Sequence, residues 1–282
     1  MRLHQKRQEI VEDVASLLKK NKTIGFVPTM GALHEGHIAL VKEALKNNDH
    51  VVVSIFVNPT QFNNSSDLEK YPRNLDADIQ LLSSTSKNII LFAPQAAEVY
   101  GSEQKVNLYD FGGIEHVMEG EFRPGHFDGV GTVLSHLFAI VSPTRAYFGE
   151  KDFQQLQIVR KLVASENIPV EIIGCPIHRE SDGLAMSSRN KRLTNDEKQN
   201  ASFIYTVLQE VKKDFGTKNA ADLKELVKQR FENHSLFKLE YFQISESTTL
   251  QPIVERKNDS KYRAFIAVFA GDVRLIDNIA LN

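Results

Sequence analysis

The stretch TIGFVPTMGALHEGHIALVKEALKNNDHVVVSIFV, residues 23–57, decides the fold. Its first apolar run, residues 23–27, predicts a short buried strand that ends at Pro28. Apolar residues then recur at helical spacing over residues 36–48. Residues 50–57 form a largely β-branched run, which is typical of a parallel strand covered on both faces. The stretch therefore predicts one βαβ unit.

The same alternation continues on both sides of this unit. A helical pattern precedes it at Ile10, Val14, Leu17 and Leu18. Further helices are predicted at residues 76–83, 130–141 and 154–164, and further strands at residues 89–92, 145–148 and 170–173. This order predicts an α/β fold, a Rossmann-like doubly wound parallel sheet whose ligands sit beyond the carboxyl ends of the strands.

The alternation stops after Pro176. A polar loop, HRESDGLAMSSRNKRL at 178–193, is followed by predicted helices at residues 196–214 and 220–233. The remaining segments predict strands at residues 239–244 and 263–268, with a turn at residues 271–272. We therefore expect a Rossmann-like domain at residues 1–176 and a smaller α+β C-terminal domain at residues 177–282.

Composition restricts the kind of protein. The chain has 282 residues, of which 41% are hydrophobic and 25% charged, as in an ordinary globular protein. The net charge of −2 offers no broad cationic field for nucleic acid. We expect a cytoplasmic protein that enters no membrane, because the first residues are charged and no run approaches the ~20 apolar residues of a span. Cys175, the single cysteine, is expected to be a small buried residue.

Two histidines and two glycines cluster in PTMGALHEGH, residues 28–37, where the first strand meets the next helix. Phosphate binds at this place in Rossmann-like sheets, through backbone N–H groups and imidazole donors. Two other interpretations of His34 and His37 remain: solvated residues at a helix start, or zinc ligands. HEGH is too short for the HExxH zinc motif, and neither GxGxxG nor the P-loop pattern occurs.

Two more loops follow neighbouring predicted strands. NPTQF at 58–62 carries amides that recognise hydroxyls and carboxylates, and GEKD at 149–152 carries a lysine for phosphate and an aspartate for Mg²⁺. Each alone is more often an ordinary turn. Three such loops at one sheet edge favour a binding site.

The polar loop after the boundary contains MSSRN at 186–190, with hydroxyls and a guanidinium that can close over a triphosphate. Its other interpretation is the approach to a helix, although the cap signal of that helix begins only at Thr194. EGEFRPGHF at 119–127 predicts an active-site wall or lid. The acidic residues Asp76 and Asp78 are largely explained as favourable charges at a helix start.

Six motifs occur in order: PTMGALHEGH at 28–37, SIFVNPTQF at 54–62, YPRN at 71–74, EGEFRPGHFDGV at 119–130, GEKDFQQL at 149–156 and LAMSSRN at 184–190. Together they closely resemble the pantothenate synthetase family. HxGH alone would indicate only the wider nucleotidyltransferase superfamily that includes class I aminoacyl-tRNA synthetases. The C-terminal third resembles the family's smaller domain only loosely.

The resemblance implies that pantoate condenses with β-alanine at the expense of ATP, giving pantothenate, AMP and pyrophosphate through a pantoyl adenylate. It also implies Mg²⁺ and a homodimer. For catalysis it implies His34, His37 and Lys151, with His37 as the imidazolium that steadies the α-phosphate or protonates the leaving group.

Binding residues are implied in the same way. For ATP they are Met30, Gly31, Ala32, Leu33, His34, Glu35, Gly36, His37, Gly149, Glu150, Lys151, Asp152, His178, Met186, Ser187, Ser188 and Arg189; for pantoate and β-alanine they are Asn58, Gln61 and Gln155; for metal they are Asp152 and Asp78. His178 stands where relatives carry a small apolar residue, so a backbone contact is expected there. Ala77 interrupts an acidic run, which makes Asp78 the weaker metal candidate.

Other functions remain open from the residues. An adenylyltransferase that stops after moving AMP onto an acceptor would use the same histidines. A non-catalytic nucleotide- or zinc-binding module would also fit the loops. A tRNA ligase is disfavoured because no anticodon-binding domain or basic surface is evident.

Overall fold

The fold comes from a computed structural model that describes residues 1–61, 65–232, 234–253 and 255–282. The strands are β1 (Arg2–His4), β2 (Ile24–Thr29), β3 (His50–Ile55), β4 (Ile89–Phe92), β5 (Arg145–Gly149), β6 (Glu171–Cys175), β7 (Phe237–Glu246), β8 (Tyr262–Ala270) and β9 (Val273–Ala280). The helices are α1 (Arg7–Leu18), α2 (Glu35–Asn47), α3 (Ser65–Lys70), α4 (Leu75–Thr85), α5 (Ala96–Tyr100), α6 (Glu119–Phe122), α7 (His126–Val141), α8 (Phe153–Ser165), α9 (Asn195–Asn200), α10 (Phe203–Asp214) and α11 (Ala220–Glu232).

Strands β1 to β6 form a parallel sheet in the order β1-β4-β3-β2-β5-β6, so the predicted Rossmann-like sheet is confirmed. Alternate residues of the central strands point to opposite faces. Phe26 and Val52 join the core under α1, α7 and α8, whereas Val27 and Val53 join the core under α2 and α4. Helices on both faces explain why the strands are apolar almost throughout.

The strand predicted at residues 23–27 was expected to end at Pro28. In the structure this strand is β2, and it continues to Thr29. Proline lacks the N–H group that a ladder needs. Here β5 pairs with β2 only at Gly25 and Phe26, so one side of β2 carries no ladder at Pro28. The ring is therefore accommodated where a hydrogen bond is not required.

Strands β7, β8 and β9 form a separate antiparallel sheet. Helices α10 and α11 supply its core with Leu208 and Val227, among others. The helix predicted at residues 196–214 is in fact two, because the N–H groups of Ala201 and Ile204 bond to carbonyls three residues back rather than four. Asn233, the predicted end of the next helix, lies outside the described residues, as does Phe62.

No helix in the described ranges combines the length and apolar character that crossing a bilayer requires.

Candidate active site

A cavity of about 260 Å³ opens at the carboxyl ends of β2 and β5 and faces the antiparallel sheet. The sequence-predicted residues that line it are Met30, His34, Gly36, His37, Gln61, Gly149, Lys151, Asp152, Gln155, His178, Met186, Ser187, Ser188 and Arg189. The predicted residues that do not line it are Gly31, Ala32, Leu33, Glu35, Asn58, Asp78 and Glu150. All three strand-end loops and the MSSRN loop thus reach one cavity.

The two histidines hold each other at the start of α2. His34 is the N-cap residue, and its Nδ1 accepts a hydrogen bond from the Gly36 N–H at 3.2 Å. Nδ1 of His37 accepts one from the His34 N–H at 3.3 Å. This is a capping box made of imidazoles, and it consumes N–H groups that were expected to be unpaired and available to phosphate.

The capping bonds fix the tautomer of both rings. An imidazole whose Nδ1 accepts a hydrogen bond carries its proton on Nε2 when neutral. Desolvation, followed by the charges of Lys151 and Lys191, lowers the pKa of His34 to about 4. Desolvation, then His34 and Lys151, lowers the pKa of His37 to about 3. A neutral His37 therefore presents an Nε2–H donor, and an imidazolium beside the α-phosphate stays a prediction.

Asp78 supports the histidine loop from behind. Gly31 and Ala32 have left-handed backbones, with φ of 81° and 50°, which turn successive N–H groups toward one point. The Asp78 carboxylate fills this point and accepts from the N–H of Ala32 at 3.0 Å and of Leu33 at 2.7 Å. Both oxygens of Asp78 are thus engaged, and these two N–H groups are not free for phosphate.

Gln61 is held with its amide at the cavity. Its Oε1 accepts from Asn58 Nδ2 at 3.2 Å, and its Nε2 lies 2.9 Å from the Met30 sulfur. Asn58 is buried beneath it and uses its Oδ1 for Thr60 and Tyr100. The amide of Asn58 therefore positions the loop that carries Gln61.

The two glutamines at the start of α8 have different surroundings. Gln154 is buried, and its Nε2 donates to the carbonyls of Ile114 at 2.8 Å and Val117 at 2.7 Å. Gln155 lines the cavity, and its side chain has no hydrogen bond to any described residue. Gln155 is the one whose amide is available to a ligand.

Lys151 and Asp152 occupy the turn between β5 and α8. Nζ of Lys151 lies 3.3 Å from Oδ1 of Asp152, and the lysine side chain is 18% exposed. An ammonium at the cavity can neutralise phosphate charge. No three His, Cys, Asp or Glu side chains within the described ranges form a metal-binding group.

The MSSRN loop contacts the Rossmann-like sheet side of the cavity through Tyr71, whose hydroxyl lies 3.3 Å from Ser188 Oγ. The Arg189 guanidinium lies 5.8 Å from the centre of the same ring. Ser187 caps the short 3₁₀ turn that follows, accepting from the Arg189 N–H at 3.2 Å.

The antiparallel sheet adds side chains to the cavity wall that the sequence did not predict: Tyr241, Phe265, Ile276, Asp277 and Asn278. Arg274 of β9 makes a bidentate ion pair with Glu119 of α6, both bonds being 2.8 Å. Tyr241 donates a further hydrogen bond at 2.9 Å. Burial raises the pKa of Glu119, but the hydrogen bonds and charge of Arg274, together with the charge of Arg123, outweigh it and lower the pKa to about 2. The segment predicted as a wall, residues 119–127, lines the cavity through Glu119, Arg123, His126 and Phe127.

Comparison with known proteins points to one family. The sequence profile described as pantoate-beta-alanine ligase matches residues 2–280. The chain is 53% identical over 282 residues to a pantothenate synthetase of Christiangramia forsetii, covering 100% of each chain. It is equally similar, 53% over 282 residues with complete coverage of both, to a pantothenate synthetase of Flavobacterium psychrophilum.

Solved structures agree. A pantothenate synthetase of Thermus thermophilus superposes with a TM-score of 0.92 at 38% identity, covering 100% of this chain and 99% of the other. A pantoate-beta-alanine ligase of Francisella tularensis complexed with beta-gamma ATP and beta-alanine superposes with a TM-score of 0.83 at 38% identity, covering 100% and 98%.

Proposed function

The chain belongs to the pantoate-β-alanine ligase family and condenses pantoate with β-alanine at the expense of ATP, and we propose that it does so through an enzyme-bound pantoyl adenylate. In the first step a pantoate carboxylate oxygen bonds to the α-phosphorus of ATP, and the bond from that phosphorus to the bridging oxygen breaks to release pyrophosphate. In the second step the β-alanine amine bonds to the acyl carbon, the bond from that carbon to the bridging anhydride oxygen breaks so that AMP leaves with this oxygen, and the amine loses a proton.

The observation that carries this proposal is the set of groups that meet in one cavity. The neutral Nε2–H donors of His34 and His37 and the Lys151 ammonium stabilise the developing charge on phosphate. The amides of Gln61 and Gln155 hydrogen-bond to a polar acid. Joining two anions is mainly a matter of positioning and charge neutralisation. No nucleophilic side chain is needed.

The single thiol is unsuited to covalent catalysis. Cys175 is buried and does not line the cavity. Burial raises the pKa of its thiol to about 11, so the reactive thiolate is scarce at neutral pH. This supports direct attack by the substrate carboxylate rather than by a cysteine.

We further propose that pantoate lies between Gln61 and Gln155 and that ATP lies along His34, His37 and Lys151. The MSSRN loop covers the phosphates from the opposite side. A mixed anhydride is destroyed by water, so closure of this side protects the intermediate.

Mg²⁺ is proposed as the ion that accompanies ATP, neutralising charge on its phosphates. Asp152 fits as a ligand, because its carboxylate lines the cavity and its side chain is 49% exposed. Asp78 fits less well, since both oxygens accept backbone N–H groups. A homodimer, a cytoplasmic location and a domain division after residue 176 are further proposals.

An AMP-release assay with pantoate and β-alanine supplied singly and together tests the reaction. We expect AMP and an amide product in stoichiometric amounts only when both are present with ATP. An enzyme that only transfers AMP would instead release pyrophosphate, form an adenylylated acceptor and give no amide.

A further inference from the structure

The turn that carries Lys151 is held by the antiparallel sheet as well as by its own strand. Asn278 of β9 is 1% exposed, and its Nδ2 donates to two successive carbonyls, those of Glu150 at 2.9 Å and Lys151 at 2.8 Å. Both N–H groups of the carboxamide are thereby used on the peptide units that flank the lysine. Their orientation is set by a residue more than 120 positions away in sequence.

Asn278 is itself fixed on its remaining sides. Its Oδ1 accepts from Arg263 of β8, and its backbone N–H donates to Asp277 at 2.7 Å. Arg179 donates hydrogen bonds to both carboxylate oxygens of Asp277, at 2.7 and 2.9 Å. The carboxamide therefore has no freedom to rotate without breaking a buried bond.

A second tie joins the same turn to the sheet. Arg263, 7% exposed, donates from Nη2 to Glu150 Oε2 at 3.0 Å, and its guanidinium lies 4.0 Å from the centre of the Phe153 ring. The turn is thus fastened at its carbonyls by Asn278 and at its side chain by Arg263.

We infer that Asn278 is a positioning residue that sets the Lys151 ammonium for adenylate formation, so that the antiparallel sheet takes part in the first half-reaction. The inference rests on the role proposed for Lys151. Asn278 lines the cavity, but its two N–H donors and its oxygen all bond to protein groups, so we place its action on the turn.

Asn278→Asp tests this role with almost no change of shape. It keeps an acceptor for Arg263 and places a carboxylate oxygen against two carbonyls. A misplacement of about 1 Å costs roughly 10²-fold in rate, so we expect kcat for AMP release to fall by about 10- to 100-fold. The KM for pantoate should change by less than about 2-fold, because the glutamines are untouched.

A double-mutant cycle separates positioning from general destabilisation. If Asn278 acts through Lys151, Asn278→Asp should cost much less in a Lys151→Ala background than in the wild type. Equal factors in the two backgrounds would overturn the inference. Failure of the role proposed for Lys151 looks different, since Lys151→Ala alone would then turn over normally.

Asn282→Asp is the matched control. Asn282 also donates and accepts one side-chain bond each, to Ser260 at 2.8 Å and from Tyr262 at 2.8 Å, but it does not touch the turn. Its effect on kcat should be small and the same in both backgrounds. If Asn278→Asp does not fold, as judged by thermal unfolding, Glu150→Ala at a 31% exposed side chain enters the same cycle with the same two outcomes.

Discussion

His37 has two separable jobs, and two substitutions divide them. Nδ1 accepts the His34 N–H that begins α2, whereas Nε2–H points away from this cap. An asparagine side chain places an oxygen near the position of Nδ1 and can still accept the His34 N–H, but it has no donor at the position of Nε2. A glutamine side chain places an N–H donor near the position of Nε2 but loses the capping hydrogen bond from the His34 N–H.

Each role of His37 has an expected magnitude. Removing one preorganised donor to a developing phosphate charge costs about 10²–10³ in rate, or roughly 2.7–4 kcal/mol. Losing one capping hydrogen bond costs about 1 kcal/mol of folding free energy. We therefore expect His37→Asn to keep its stability and lose the rate, and His37→Gln to lose stability and keep much more of the rate.

The measurements are single-turnover adenylate formation and urea unfolding, with His116→Asn as a control at a side chain that is 80% exposed. Equal rates for His37→Asn and the wild type, in folded protein, would refute the donor role. Because the pKa of His37 is about 3, kcat/KM should show no His37-dependent rise near pH 6.5.

The same pKa has a consequence for stability. Desolvation favours the neutral ring in the folded state, so the unfolded chain binds more protons between its pKa of 6.5 and the folded value of about 3. The contribution of His37 to the free energy of unfolding is fully present above pH 6.5. It is lost as the pH falls, by at most about 1.4 kcal/mol per pH unit. In His37→Asn the free energy of unfolding, measured in urea, should therefore fall less between pH 6.5 and acid pH than in the wild type.

Substitutions of Lys151, of the two glutamines and of Arg274 test the remaining groups. Lys151→Ala should weaken ATP binding and slow adenylation in single-turnover measurements, and Lys151→Arg should not restore both, because a guanidinium differs in shape from an ammonium; unchanged kinetics would return the turn to an ordinary surface role. Gln61→Ala and Gln155→Ala should raise the KM for pantoate with ATP affinity nearly unchanged, and normal pantoate use by both would disprove the pocket. Arg274→Ala should lower the free energy of unfolding by up to about 3–5 kcal/mol, because the buried Glu119 loses its bidentate partner and keeps only Arg123, at 3.5 Å, and the Tyr241 hydroxyl; adding Glu119→Gln should recover part of this loss in urea unfolding, and a loss below about 1 kcal/mol would contradict the ion pair's role.

Local pattern predicted the parallel sheet and the loops at its edge. Strands β2, β3 and β5 carry continuous apolar runs, and their order along the chain implies that their carboxyl ends meet. His37, Gln61 and Lys151 line one cavity for this reason. The three-residue strand β1 was not predicted, because so short a segment carries no periodicity.

The contributions of the antiparallel sheet could not be predicted in this way. Asn278 and Arg274 act through partners 127 and 155 residues away, and no local spacing encodes such pairs. The sequence also carries no sign of which groups bond to the backbone N–H groups of the histidine loop. Only the structure shows that Asp78 and the histidines consume donors that sequence reasoning assigned to phosphate.

The central claim is that pantoate is activated on the enzyme before β-alanine takes part. Exchange of labelled pyrophosphate into ATP reports this first half-reaction alone. We expect the wild-type protein to catalyse exchange that requires pantoate and proceeds without β-alanine. Exchange that appears only when β-alanine is present would contradict a separate adenylate intermediate.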